Sequence, residues 1–243
     1  SAFFETMSGF TSTGATIIDD LDAIPKGLLF WRSLTQWIGG IGIGFFTIAI
    51  LPAFGVGEVK LFAAESTGPL RDKVHPRISV AAKWIGGIYV MLTLLCILAL
   101  LLCGMPVFDA VNYSLCTTAT GGYGTHSALL GDYYHSPAIE YVLIFFMFVS
   151  GVNYTLIYYT ILKGKVKKFF SDAELKAYLI IVLGASLICT VVLMLCNTVN
   201  DLEEAFRQSL FTVISMQTTT GLATVDYTLW PVQLMPVILF VMF

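Results

Sequence analysis

The sequence predicts an all-α polytopic membrane protein built from copies of one unit: apolar span, short amphipathic helix, hydroxyl-rich loop, apolar span. Composition is the first reason. Of 243 residues, 57% are hydrophobic and 12% charged, with a mean hydropathy of +0.82, whereas a soluble domain carries about 25% charged residues. Aqueous α/β enzymes are excluded on that ground. Recurrence is the second. The runs Thr11-Ser12-Thr13-Gly14-Ala15-Thr16, Thr118-Ala119-Thr120-Gly121-Gly122-Tyr123 and Thr218-Thr219-Thr220-Gly221-Leu222-Ala223-Thr224 each contain Thr-Gly. Aligned on Gly14, Gly121 and Gly221, they recur at intervals of 107 and 100 residues (121 − 14 and 221 − 121). A period of this kind decides the architecture before any single element does.

In order, the first run leads through the acidic turn Asp19, Asp20, Asp22 to an apolar span over 27–51, ended by Pro52. At 1.5 Å per residue this covers the ~30 Å of a bilayer core. Gly39, Gly40, Gly42 and Gly44 lack the spacing of a nucleotide loop, so close helix packing is their expected use. Arg32 and Gln36 lie one helical turn apart near the start of the span, at a membrane interface or facing a polar path. A second span over 81–102 is stopped by Gly104 and Pro106. Residues 107–117 are too short to cross and lead into the second run. The third span is 139–162 and the fourth 175–196. A second short segment, 202–216, opens with Glu203-Glu204 and leads into the third run; Trp230-Pro231 begins a fifth span. The chain divides into repeat 1 (1–52), a polar connector (53–80), repeat 2 (81–162), a basic connector (163–174) and repeat 3 (175–243). Ser1 in place of an initiator Met, and an end inside an apolar run, read as an internal piece of a longer chain.

Charge orients the units. With the Thr-Gly loops entering from one face, 53–83 and 163–176 share the other. They hold Lys60, Arg71, Lys73, Arg77, Lys83, Lys163, Lys165, Lys167, Lys168 and Lys176, ten of the thirteen basic residues. The positive-inside rule makes them cytoplasmic. The loop face carries Asp109, Asp132, Asp201, Glu203, Glu204 and Asp226 besides the first acidic turn, and an acidic mouth concentrates cations. Individually these carboxylates read as solvated charges or helix caps.

Irregular backbone survives at membrane depth only where protein buries it or it lines a cavity. Glycine takes positive φ without a Cβ penalty, so a Thr-Gly loop can turn successive carbonyls to one side. Such oxygens replace the water of a large monovalent cation. Histidine, cysteine and carboxylate are absent from the loops, which points away from transition metals. The five cysteines form no CxxC pair, so zinc and iron–sulfur sites have no support. His75, His126 and His135 have neither metal spacing nor a nucleophile partner, and no enzyme is expected.

These motifs, with Gly9-Phe10 before the first loop, Gln36-Trp37-Ile38-Gly39-Gly40-Ile41-Gly42, and Ala205-Phe206-Arg207-Gln208 before the third, resemble the Trk/Ktr/HKT superfamily of potassium transporters over nearly the whole chain. The resemblance implies pseudo-fourfold repeats of helix, pore helix, filter loop and helix. It implies potassium contacts at the backbone oxygens of Ser12, Thr13 and Gly14, of Ala119, Thr120 and Gly121, and of Thr219, Thr220 and Gly221. Gly14, where sodium-transporting members carry serine, implies potassium. It further implies no cofactor beyond the transported K+, a cell inner membrane location, a homodimer, and a cytosolic nucleotide-binding regulatory subunit on the connector side. The alternative is a secondary transporter of a small solute with broken helices, which is expected to show inverted or paired halves; here the repeats run parallel.

Overall fold

The computed structural model describes residues 2–50, 78–154, 156–157, 160 and 171–242. The connector 53–77, most of the basic connector and His75 lie outside them. The described residues are helical, with no strand among them. In chain order the α-helices are α1 (Ala2–Phe10), α2 (Lys26–Ile50), α3 (Ile78–Leu102), α4 (Val107–Thr118), α5 (Leu130–Tyr134), α6 (Pro137–Ser150), α7 (Ala173–Leu195), α8 (Leu202–Gln217) and α9 (Met235–Met242). Two short 3₁₀ turns, Tyr227–Leu229 and Val232–Leu234, precede α9.

Each stop has a local cause. Gly104, at φ +87°, ends α3. Its N–H donates to Leu101 O at 3.0 Å and that of Met105 to Leu100 O at 3.1 Å, the paired bonds of a Schellman cap. Leu100 and Met105 both sit in the core beneath. Asp172 caps α7 by accepting from Leu175 N at 3.1 Å, and Asp201 stands at the N-cap of α8. The expected continuous span 139–162 is interrupted. α6 ends at Ser150, and Gly151–Asn153 leave the helix before helical backbone resumes at Tyr154. A Cβ at Gly151 would lie 2.8 Å from Thr218 Cγ2 and 2.9 Å from the Tyr178 hydroxyl. The break therefore occurs where the backbone lies close against the base of the third loop.

The packing runs from each unit to the next. Within units α1 lies on α2, α3 on α4, and α7 on α8; between units α2 packs on α4 and α6 on α8. The main core gathers Leu100, Leu143, Met147, Phe211 and Ile214 around α6. A second surrounds Leu193, Trp230 and Leu234 between α7, α8 and α9.

The polarity is inverted relative to a soluble protein. Gln36, Asn112, Ser114, Thr117, Ser209 and Ser215 are buried, whereas Leu94, Leu98, Ile180, Leu187 and Val191 are more than half exposed. Buried hydroxyls beneath an apolar exterior are the informative exceptions to burial statistics. Trp84–Leu102 and Ala173–Leu195 are long and apolar enough to cross a membrane. Lipid thus takes the place of the missing apolar partners.

Candidate functional site

Three short helices, α1, α4 and α8, end on the three Thr-Gly loops in the same way. Ser12 N–H donates to Gly9 O and Thr13 N–H to Ser8 O; Thr120 donates to Thr117 O and Gly121 to Cys116 O; Thr219 donates to Met216 O and Thr220 to Ser215 O, all at 2.9–3.2 Å. Each is a Schellman cap, whose second residue beyond the helix takes the left-handed conformation. Here that residue is not glycine but Ser12 (φ +52°), Thr120 (+50°) or Thr219 (+56°). Such backbone costs about 1–2 kcal/mol per residue outside glycine. Strain of this kind persists only where the surrounding structure holds it, and here it recurs at three equivalent places.

Two residues further on, Gly14 (φ +75°), Gly122 (+80°) and Gly221 (+75°) are again left-handed, while Thr13, Gly121 and Thr220 between them are not. Carbonyls of a regular extended chain alternate sides; alternating the sign of φ brings successive carbonyls towards one side. Glycine supplies the second left-handed step without a Cβ clash.

This geometry corrects the register read from Thr-Gly alone. Gly121 occupies the place of Thr13 and Thr220, and Gly122 that of Gly14 and Gly221. The equivalent triplets are Ser12-Thr13-Gly14, Thr120-Gly121-Gly122 and Thr219-Thr220-Gly221. Ala119 falls at the end of α4 as its C-cap, outside the alternating stretch. The register is fixed by the helix behind, not by the dipeptide. Ser8 and Ser215, six residues before Gly14 and Gly221, donate to Ala15 O and Leu222 O, both at 2.6 Å. Cys116, six before Gly122, lies with its thiol against the Tyr123 backbone.

The loops meet edge to edge. A Cβ on Gly14 would collide with the Gly121 carbonyl oxygen, and one on Gly122 with the Thr220 carbonyl oxygen. Loop 1 therefore abuts loop 2, and loop 2 abuts loop 3, in the same relative pose. Thr11 and Thr13 hydroxyls lie 2.8 Å apart, and Thr218 and Thr220 hydroxyls 2.7 Å apart, bracing loops 1 and 3 internally.

Buried polar side chains fix the joins. Arg32 donates through Nε to Glu5 at 3.0 Å and through a terminal nitrogen to Thr16 at 3.0 Å, and its guanidinium lies 4.1 Å from the Tyr123 ring centroid. The Tyr123 hydroxyl donates to Glu5 O at 3.0 Å. Between units 2 and 3, Arg207 meets Glu140 at 2.6 Å, both nearly buried, and Glu203 at 3.0 Å. Leu130 N–H donates to Ala223 O at 3.2 Å. Gly39 and Gly40 let α2 approach: a Cβ there would meet Phe10 backbone or the Tyr89 hydroxyl.

The acidic residues of the loop face divide. Asp109 is buried and accepts from the Tyr134 hydroxyl at 2.6 Å. Asp22 lies 2.8 Å from His126 Nδ1 and accepts from Ser127 N–H at 3.2 Å. The His126 contact, then the Ser127 N–H, holds the Asp22 carboxyl below the usual range. His126, which has no metal spacing in the sequence, stacks on Tyr133 at 3.7 Å between centroids. Asp226 is held low by the Thr228 hydroxyl and N–H. Among the described residues no group of three metal-ligating side chains occurs. Any cation bound at the loops would have oxygen ligands.

Known proteins are similar to this chain over nearly its whole length. The family model of the TrkH cation transport proteins matches residues 1–243. The Trk system potassium uptake protein TrkH of Salmonella typhimurium is 43% identical over 240 residues, 98% of this chain and 49% of that protein. TrkG of Escherichia coli is 38% identical, over 95% of this chain and 47% of its own length. The crystal structure of the potassium transporter TrkH from Vibrio parahaemolyticus superposes with a TM-score of 0.82 at 37% identity, covering 99% of this chain and 48% of that one. The chain thus spans about half the length of the relatives it matches. With composition, helical repeats and matched family in agreement, this integral membrane chain belongs to the TrkH family of cation transport proteins.

Proposed function

We propose that the chain contributes three loops to a potassium-selective path through the cell inner membrane. The observation that carries this reading is the identical left–right–left backbone at three loops packed edge to edge. Main-chain oxygens of Ser12–Gly14, Thr120–Gly122 and Thr219–Gly221 are its ion ligands, with the loop 2 triplet moved by one residue from the sequence reading. Carbonyl rings discriminate by cavity size and by the number and strength of the dipoles. The C-termini of α1, α4 and α8 end on the loops and add partial negative charge. The relatives named above are potassium uptake proteins, which supports potassium as the ion.

A homodimer, and a cytosolic nucleotide-binding regulatory subunit docked on the connector side, belong to the same proposal. The test is uptake of rubidium, with sodium in competition, by the full-length protein reconstituted in liposomes. Selective uptake that is lost in Gly122→Ala supports the reading. Selective uptake unchanged in that variant removes loop 2 from the path.

A further inference from the structure

We propose that Gln36 is a positioning residue for the second loop, holding the Gly121–Gly122 peptide in the one orientation that discriminates between cations. This rests on the ion-path reading above. The peptide lies between two glycines, so neither flanking residue restrains it with a Cβ. Loops 1 and 3 have Thr13 and Thr220 at the place of Gly121, each braced by a hydroxyl contact from its own loop. Loop 2 has no such hydroxyl, and a residue of another element stands in.

Gln36 is fully buried on α2. Its Nε2 donates to Gly121 O at 2.6 Å, and its Oε1 accepts from Tyr123 N–H at 3.2 Å. The amide orientation is forced by chemistry, because only the NH₂ end can donate and only the oxygen can accept. The first bond holds the carbonyl of the Gly121–Gly122 peptide and the second the N–H of the next peptide, so a flip of the Gly121–Gly122 peptide breaks the first. The main-chain oxygen of Gln36 also accepts from Ser12 Oγ at 3.4 Å, tying the same helical turn to loop 1. A Cβ at Gly121 would fall 2.5 Å from the Gln36 carboxamide; the missing side chain of loop 2 is the space the amide fills. The partly positive hydrogen that Gln36 places beside the Gly121 oxygen also offsets the field of that oxygen at a cation, which disfavours the smaller, harder sodium ion.

The experiment is rubidium against sodium uptake by the full-length protein in liposomes, for wild type, Gln36→Glu and Gln36→Met. Gln36→Glu keeps the shape and the acceptor for Tyr123 N–H but exchanges the donor at Gly121 for a carboxylate oxygen. Gln36→Met keeps the length and loses both bonds. Melting temperature and gel-filtration profile report on folding separately from the ratio. The expected result is a rubidium-to-sodium preference reduced about fivefold or more in both variants, the equivalent of one net hydrogen bond. Total cation uptake is retained. Thr35→Ala, which removes a neighbouring hydroxyl that donates to Arg32 O, leaves the ratio at the wild-type value. A wild-type ratio in Gln36→Glu overturns the inference, as does a loss of uptake in proportion to lost folded protein with the ratio unchanged. A wild type with no preference for rubidium strikes the functional reading instead.

Discussion

Alanine at Gly122 and alanine at Gly121 are expected to do different things, and the difference reads out the register of loop 2. At Gly122 the backbone is left-handed, φ +80°, which costs a residue with a Cβ about 1–2 kcal/mol. The added Cβ also collides with the Thr220 carbonyl, a backbone atom that cannot swing aside. Overpacking of this kind adds about 1–3 kcal/mol. The expected total is about 2–5 kcal/mol, an appreciable part of a stability of about 5–15 kcal/mol. At Gly121 no left-handed strain arises, and the collision is with the Gln36 amide. That end can move, at the loss of two hydrogen bonds of about 1 kcal/mol each. The assay is thermal melting of the purified full-length protein, with Gln36→Ala as the second arm of a double-mutant cycle. Gly121→Ala should add little to Gln36→Ala, because the space is already open. Gly122→Ala should add its full cost to either background. A tolerated Gly122→Ala beside a Gly121→Ala that stays severe without Gln36 would refute the register and the argument for alternating handedness.

Other expectations follow from the joins between units. Arg207→Met leaves Glu140 buried without its partner and should cost about 3–5 kcal/mol, read as a fall in melting temperature; Arg207→Met with Glu140→Met should recover much of it. Gly131→Ala drives a Cβ into the Thr224 carbonyl and should loosen the junction of loops 2 and 3, seen as faster hydrogen exchange at Leu130, whose N–H donates to Ala223 O. The Asp22 carboxyl is depressed below its ordinary 3.8, first by His126 and then by Ser127 N–H. A depressed carboxyl stabilises above its unfolded pKa, and that contribution is lost as pH falls through the folded value. Exchange protection at Ser127 should therefore weaken below about pH 4 in wild type. Asp22→Asn should lack that transition.

Much of this architecture is legible in the sequence because the bilayer simplifies the code. Long apolar stretches, the stops at Gly104 and Pro106, and the two short segments before Thr-Gly gave α3, α4, α7 and α8 to within a few residues. The loop 2 register was not legible from Thr-Gly, because Gly121-Gly122 offers two glycines and the dipeptide selects the first. The six-residue spacing from Ser8, Cys116 and Ser215 carries the true alignment, but cysteine standing for serine hides it. The break at Gly151 reads as one more small residue in an apolar span; only the approach of Thr218 and Tyr178 explains it. Gln36 and Arg32 stand out as polar residues in a span, yet the targets of Gln36 are 85 or more residues away in sequence, and Glu5, the partner of Arg32, lies on the preceding helix. Long-range partners of this kind need the fold before they can be named.

The most direct measurement is anomalous scattering from rubidium in crystals of the full-length protein. The account predicts a peak within direct contact distance of main-chain oxygens from all three triplets, Ser12–Gly14, Thr120–Gly122 and Thr219–Gly221. Rubidium found only at the acidic outer turns, with the three triplets turned away from it, would contradict the account.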